Sequence, residues 1–436
     1  MSTETRGESQ LQRTLMFLAI GLVLGGAVTY GALTPTLSQV PDLSNKINQL
    51  QRQVNQLTQV MEYKIGASMP LTGNLSDVGT QWQTVLQMAS DDLNAEMAKD
   101  GIKAKFTLVI KDDKSSVTGA LQIVQTLGQS GVKVIVGPAA SDQIKACLSY
   151  VIDNKIVLIS PSSSSAALAI PNDYIFRTVG SDAIQAKALA ALVNSERINR
   201  VIVFHRDDEY GVAFANFFER EFTALGGSSR AIPYASNHTD YASDVAQLST
   251  TAQHAGVSGI VMISLDTDGM NILSHAKDDA FLSSLNWFSS DGLLGATGLL
   301  AQNIAQFMQK TNFMGTRLIF RENQLHTDFA ARYKAKVGSD PPIFSANLYD
   351  AVFLAGWAIV RAIPLTSSGE VIKSALPDVA KKYYGASGWC IFDANGDKMY
   401  QDYSIWTIQT QNGTYAYADL GSYSEGMISF SQPRQP

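Results

Sequence analysis

The sequence predicts an α/β protein built on parallel sheets, and three observations carry that prediction. From Tyr63 onward, short β-branched and aliphatic runs alternate with amphipathic stretches of helical period. At 436 residues the chain has room for two or three compact units. With 45% hydrophobic and 17% charged residues, it is neither a disordered chain nor a polytopic membrane protein. Thirty-three basic and 39 acidic residues leave a net charge of -6, which argues against nucleic acid as a partner. Cys147 and Cys390 form no CxxC pair, so thioredoxin-like and cysteine-zinc motifs are excluded; a single disulfide and two buried free thiols both stay open.

The first element is apolar. Residues 14–33 (TLMFLAIGLVLGGAVTYGAL) carry no charge and match the length needed to cross a bilayer. Arg6 and Arg13 precede this run and no Lys or Arg follows before Lys46. The positive-inside rule then puts residues 1–13 in the cytoplasm and the folded body outside the cell, on a single-pass anchor. A cleaved signal peptide is the rival reading, opposed by the length of the run and by the lack of a clear small-x-small site. In the next segment, 40–62, Val40, Leu43, Ile47, Leu50, Val54, Leu57 and Met61 recur in steps of three and four. That spacing predicts a helical stalk, either a short parallel coiled coil that pairs two copies or a lone helix. With the body outside, Asn74, Asn237 and Asn412 become candidate glycosylation sequons.

In the body the predicted strands are 106–110 (FTLVI), 132–136 (VKVIV), 156–160 (IVLIS), 201–205 (VIVFH), 259–264 (GIVMIS) and 286–289 (NWFS). Helices are predicted at 79–97, 117–127, 142–152, 184–192, 212–225, 241–254 and 269–276, giving a βαβα order throughout. Ligands of such sheets bind beyond the carboxyl ends of the strands, where helix N-termini offer unpaired N–H groups. Two loops there are rich in hydroxyls. Gly137-Pro138-Ala139-Ala140-Ser141-Asp142 follows one strand, and Pro161-Ser162-Ser163-Ser164-Ser165 with an Ala-rich helix start follows the next. These serines either cap their helices or cradle a carboxylate. No GxSxG, Walker A, GxGxxG or HExxH motif is present, and the five histidines show no metal-ligand spacing. No catalytic residue, cofactor or metal is therefore assigned.

From Ile65-Gly66-Ala67-Ser68-Met69-Pro70-Leu71-Thr72-Gly73 the chain resembles the type 1 periplasmic substrate-binding proteins, in particular the leucine/isoleucine/valine-binding group. Lys111-Asp112-Asp113, Val136-Gly137-Pro138, Ile159-Ser160-Pro161, Phe176-Arg177-Thr178, Asp208-Glu209-Tyr210-Gly211 and Phe392-Asp393-Ala394-Asn395-Gly396-Asp397 follow in the family's order. The resemblance implies two doubly wound lobes joined by three crossovers and closing on a ligand. Lobe one would span 63–180 and 317–395, lobe two 181–316 and 396–420, with a tail at 421–436. It implies that Ser141 and Ser164 hold an α-carboxylate, while the carbonyl of Ser162 and the carboxylate of Asp291 hold the ammonium. Tyr210 matches the family's lobe-two tyrosine.

The chain departs from the family in ways that bear on the pocket. Val78 precedes Gly79 where the family often has an aromatic residue, Leu265 with Asp266 replaces a second-lobe aromatic, and Asp291 is shorter than the usual glutamate. Trp82 and Tyr349 either wall the pocket or pack the core; Asp266 and Asp268 are otherwise solvated acids at a helix start, and Asp291 is otherwise a helix cap. The expectation is a non-enzymatic, membrane-anchored solute-binding protein that takes an amino acid or similar small polar ligand and serves an ABC permease and ATPase. The alternative is a receptor ectodomain that signals through a partner.

Overall fold

The computed structural model describes residues 59–431, except 237, 295, 321–322, 364–367 and 425. The expected cytoplasmic segment 1–13, the span 14–33, the stalk up to residue 58 and the sequon at Asn237 lie outside the described residues. Among the described residues, no helix is long and apolar enough to cross a membrane. Met61 and Glu62, expected to end the stalk, instead begin strand β1 (Met61–Met69).

The chain then alternates through α1 (Ser76–Lys99), β2 (Ala104–Asp112), α2 (Val117–Gln129), β3 (Val134–Val136), α3 (Ser141–Asn154), β4 (Val157–Ser160) and β5 (Ile175–Gly180). It crosses into a second lobe of α4 (Asp182–Ser195), β6 (Arg200–Arg206), α5 (Glu209–Ala224), β7 (Ser228–Tyr234), α6 (Ala242–Ala255), β8 (Gly259–Ile263), α7 (Asp266–Ala276), β9 (Asn286–Ser289), α8 (Gln302–Lys310) and β10 (Met314–Ile319). It returns to the first lobe as α9 (Gln324–Val337), α10 (Ser345–Ala362), α11 (Gly369–Ala380), the hairpin β11 (Tyr384–Gly385) and β12 (Gly388–Trp389), and β13 (Asp397–Lys398). Last come β14 (Asp402–Gln411), β15 (Thr414–Ser424) and β16 (Met427–Phe430).

The first sheet runs β13-β5-β4-β3-β1-β2 and the second β16-β15-β14-β10-β9-β8-β6-β7. Strands β6, β8 and β9 pair in parallel and are buried almost end to end, as expected when helices cover both faces. One core fills lobe one around Ile65, Val134 and Leu158. Two cores sandwich the second sheet, one around Ile260 and Trp287, the other around Val203 and Phe218.

Four expectations are corrected by the strand pairing. Arg317 does not open the return to lobe one: it lies on β10, opposite Ser404 of β14, so the second crossover follows Ile319. The third crossover lies between Lys398 and Asp402, because Asp397 still pairs with Arg177 of β5. Residues 421–430 are not a tail, since β15 runs to Ser424 and β16 pairs with it. The order is also not βαβα throughout, because β14, β15 and β16 join the second sheet antiparallel. Both cysteines are free and buried.

Candidate ligand-binding cleft

The loops beyond the carboxyl ends of the parallel strands face one another between the lobes and enclose about 690 Å³ of empty space, part of it open to solvent. Gly137 makes the first loop possible: its φ is +85°, and a Cβ there would lie 2.3 Å from the carbonyl of Ser68. The hydroxyl of Ser160 donates to the carbonyl of Pro138 at 2.7 Å and that of Ser162 to the carbonyl of Ala139 at 2.9 Å, tying the two serine-bearing loops together.

Ser141, Ser162 and Ser164 from lobe one and Tyr210, Leu265 and Asp291 from lobe two all line this cleft. Tyr349 does not. It sits in the lobe-one core, stacked on Phe353, with its hydroxyl donating to Asp92 at 2.6 Å. The aromatic wall is formed by Trp82 and Phe344. Trp82 serves core and cleft together: it is 2% exposed, and its indole N–H donates to the carbonyl of Ile343 at 3.2 Å. Phe344 holds φ +63°, a left-handed conformation that is costly for an aromatic residue and is a form of strain found at functional sites.

Neither Ser141 nor Asp142 is the cap of α3. Ala140 occupies that position and donates its N–H to the Gln143 side chain at 3.0 Å. The Ser141 hydroxyl instead meets that of Ser163 at 3.0 Å and accepts the N–H of Ser165 at 3.3 Å. The Ala-rich segment after Ser165 is a three-residue 3-10 turn rather than a longer helix. Behind this loop Arg177 donates to the carbonyl of Ser165 at 2.5 Å, while its other side forks onto Asp397. The Phe-Arg-Thr motif therefore fixes the serine loop from below.

The two lobes touch at the mouth. The Ser165 hydroxyl donates to the carbonyl of Glu209 at 3.1 Å, the Thr267 hydroxyl to that of Asn74 at 3.0 Å, and Lys145 pairs with Glu209.

Carboxylates dominate the wall. Asp142, Asp208, Asp266 and Asp291 line the cleft, and no Lys, Arg or His is among the described lining residues. Asp266 and Asp268 are 5% and 2% exposed, so neither is a solvated loop acid. Asp268 accepts from Arg206 at 2.9 Å and from the Tyr234 hydroxyl at 2.5 Å. Asp208 caps α5 by accepting the N–H of Gly211 at 2.9 Å and also bonds Arg206 at 2.7 Å. Asp291 begins no helix and so is not a helix cap. Burial pushes its carboxyl up to about 6, against bonds from Gln185 and the Leu318 backbone. Asp182, wholly buried at the start of α4, is pushed up to about 8 by burial, with Asp291 adding to the rise and Ser164 and Arg177 opposing it.

Sequence reasoning missed Asp142 and Asp208 as wall residues, Phe344 as the aromatic one, and Asp182 altogether. The first two sit at helix starts beyond strand ends, which was a usable signal. A stability prediction follows from the two buried acids. A carboxyl whose pKa is raised on folding stabilises the fold fully below its unfolded value near 3.8 and loses that contribution as pH rises through about 6 for Asp291 and about 8 for Asp182. Asp182→Asn should therefore raise the melting temperature at pH 8 and leave it nearly unchanged at pH 4. Equal shifts at the two pH values in thermal scans would refute this.

Comparison with known proteins gives a consistent picture. The family model described as Periplasmic binding protein matches residues 62–414. An uncharacterized protein of Methanocaldococcus jannaschii is 26% identical over 375 residues, covering 80% of this chain and 87% of that one. The leucine-binding protein LivK of Thermotoga maritima superposes with a TM-score of 0.68 at 22% identity, over 81% of this chain and 97% of that one. A solute-binding protein of an ABC transporter from R. palustris, solved with 4-hydroxybenzoate, gives 0.70 at 15% identity, over 84% and 98%.

Proposed function

This chain belongs to the periplasmic binding protein family, with the type 1 fold, and from that premise we propose that it is an extracytoplasmic solute-binding protein that captures an amino acid or similar small polar ligand for an ABC permease. It binds its ligand without converting it, and the apolar segment at 14–33 anchors it to the membrane. One observation carries the reading: six residues named from sequence, three from each lobe, lie along one cleft. A ligand held there bridges the lobes, so binding and closure are one event.

Structural neighbours take two kinds of ligand, leucine in one case and 4-hydroxybenzoate in another. The wall favours the amino acid. An aromatic acid has one anionic group and would meet carboxylates with no basic side chain among the described lining residues. An α-amino acid offers an ammonium to Asp291 and a carboxylate to the hydroxyls of Ser141 and Ser164.

The test is a thermal-shift series on the full chain with the common amino acids and 4-hydroxybenzoate. A ligand at about one hundred times its dissociation constant adds about 2.7 kcal/mol of apparent stability. A shift with an amino acid that is recovered unchanged is the expected result. A shift with the aromatic acid alone, or chemical conversion of the bound solute, would overturn the reading.

A further inference from the structure

The charge of the cleft goes beyond what an α-amino acid site requires. Asp291 alone would balance an ammonium, yet Asp142, Asp208 and Asp266 line the same space. The nearby cations are already committed. Arg206 bonds both Asp208 and Asp268 and is also the cation facing Asp142. Arg177 forks onto Asp397, and Lys145 at the rim pairs with Glu209. Asp182 lies directly behind the wall, against Ser164 and Asp291; it is 0% exposed and neither of its carboxyl oxygens has a hydrogen-bond partner of good geometry.

Three of these acids begin helices, where the dipole favours a carboxylate. That explains an acid at each helix start, but a cap works equally well in solvent. The topology brings those helix starts to the cleft, but it does not explain why three of them, from two lobes, carry acids beside Asp291, where like charges repel and are only partly screened. A zwitterion with a neutral side chain brings no net charge to offset them. A solute with excess positive charge does, and the apolar groups of Trp82 and Phe344 on the wall suit the stem of such a cation.

We propose that the cleft selects a small organic cation with more positive than negative charge, one N–H-rich group at Asp291 and a second against Asp142, Asp208 and Asp266. This rests on the reading of the cleft as the solute site. The shared chemistry is an ammonium or guanidinium at each end of an apolar stem, which basic amino acids and their decarboxylated amines both offer.

The experiment is titration calorimetry on the full chain at pH 7.5, with arginine, lysine, ornithine, agmatine, putrescine, leucine and 4-hydroxybenzoate as probes. At least one cation should bind a hundredfold or more tighter than leucine, and more weakly as salt is raised. The amino acids against the amines show whether the α-carboxylate contributes. Asp142→Asn should lower affinity for the preferred cation tenfold or more. Tighter binding of leucine than of every cation would overturn the charge inference and leave the proposed function standing, whereas binding of hydroxybenzoate alone would overturn both. Unchanged cation affinity in Asp142→Asn would also overturn the charge inference as stated, and no binding by any probe would overturn both.

Discussion

An Arg177→Met variant should lose about 3–5 kcal/mol of unfolding free energy, the cost typical of breaking one side of a buried ion pair. Arg177 is 1% exposed and donates Nε and Nη2 to the two oxygens of Asp397, each at 2.5 Å. Without the guanidinium, Asp397 would be a carboxylate buried against β5 with no counter-charge. The same side chain holds the carbonyls of Ser163 and Ser165, at 3.4 and 2.5 Å. Ligand affinity should therefore fall together with stability. Arg177→Lys should rescue little of either, because an ammonium cannot fork onto a carboxylate and reach the loop carbonyls at the same time. Arg177→Met combined with Asp397→Leu should recover stability without recovering affinity. Urea unfolding at pH 7 measures the first quantity, and a loss below about 1 kcal/mol, ordinary for an exposed pair, would show the interaction to be dispensable.

The parts of this fold that could be read from sequence were those in which a local pattern has one structural solution. The run at 286–289 became β9 without adjustment, and the helix predicted at 117–127 became α2, capped by Ser116. The C-terminal hairpin was not read, although its signal was present. Asn412 and Gly413 hold φ +52° and +82°, the two left-handed positions of a tight hairpin turn. The same residues had been read as a sequon. Arg317 was taken as a lobe boundary from the family resemblance alone, whereas it lies inside β10 and its guanidinium reaches along the sheet to pair with Asp419 on β15.

The site was legible to the extent that strand ends mark it. Ser141 and Asp291 each follow a parallel strand, so the topology brings each to the carboxyl edge of its own sheet, where the cleft lies, whatever the side-chain detail. Tyr349 failed for a geometric reason. It lies more than one turn inside α10, where its ring packs on Phe353 and its hydroxyl reaches Asp92, whereas Phe344 sits just before the helix at the cleft. An apolar stretch does not say which of its rings faces the ligand. Asp182 was invisible for a different reason: a helix-start aspartate usually faces water, and only the tertiary structure shows this one to be buried.

Asp291→Asn should cost about 2–5 kcal/mol of binding free energy for an amine-bearing ligand, the range for truncating one partner of a buried charge pair, or roughly thirtyfold to several thousandfold in affinity. Asp291 lines the cleft from lobe two as Ser141 and Ser164 do from lobe one, and it holds its position through Gln185 and the backbone of Leu318. The amide is nearly the same shape, so the cleft should survive and only the counter-charge should be lost. The free protein gives the control. With its carboxyl raised to about 6, Asp291 is mainly ionised at pH 7.5 and destabilises the empty cleft, so the variant should melt no lower than the parent there. Lower affinity with an unchanged or higher melting temperature separates a binding role from a folding one. Full affinity in the variant would place the ligand's amine elsewhere, and a lower melting temperature would make Asp291 a structural residue.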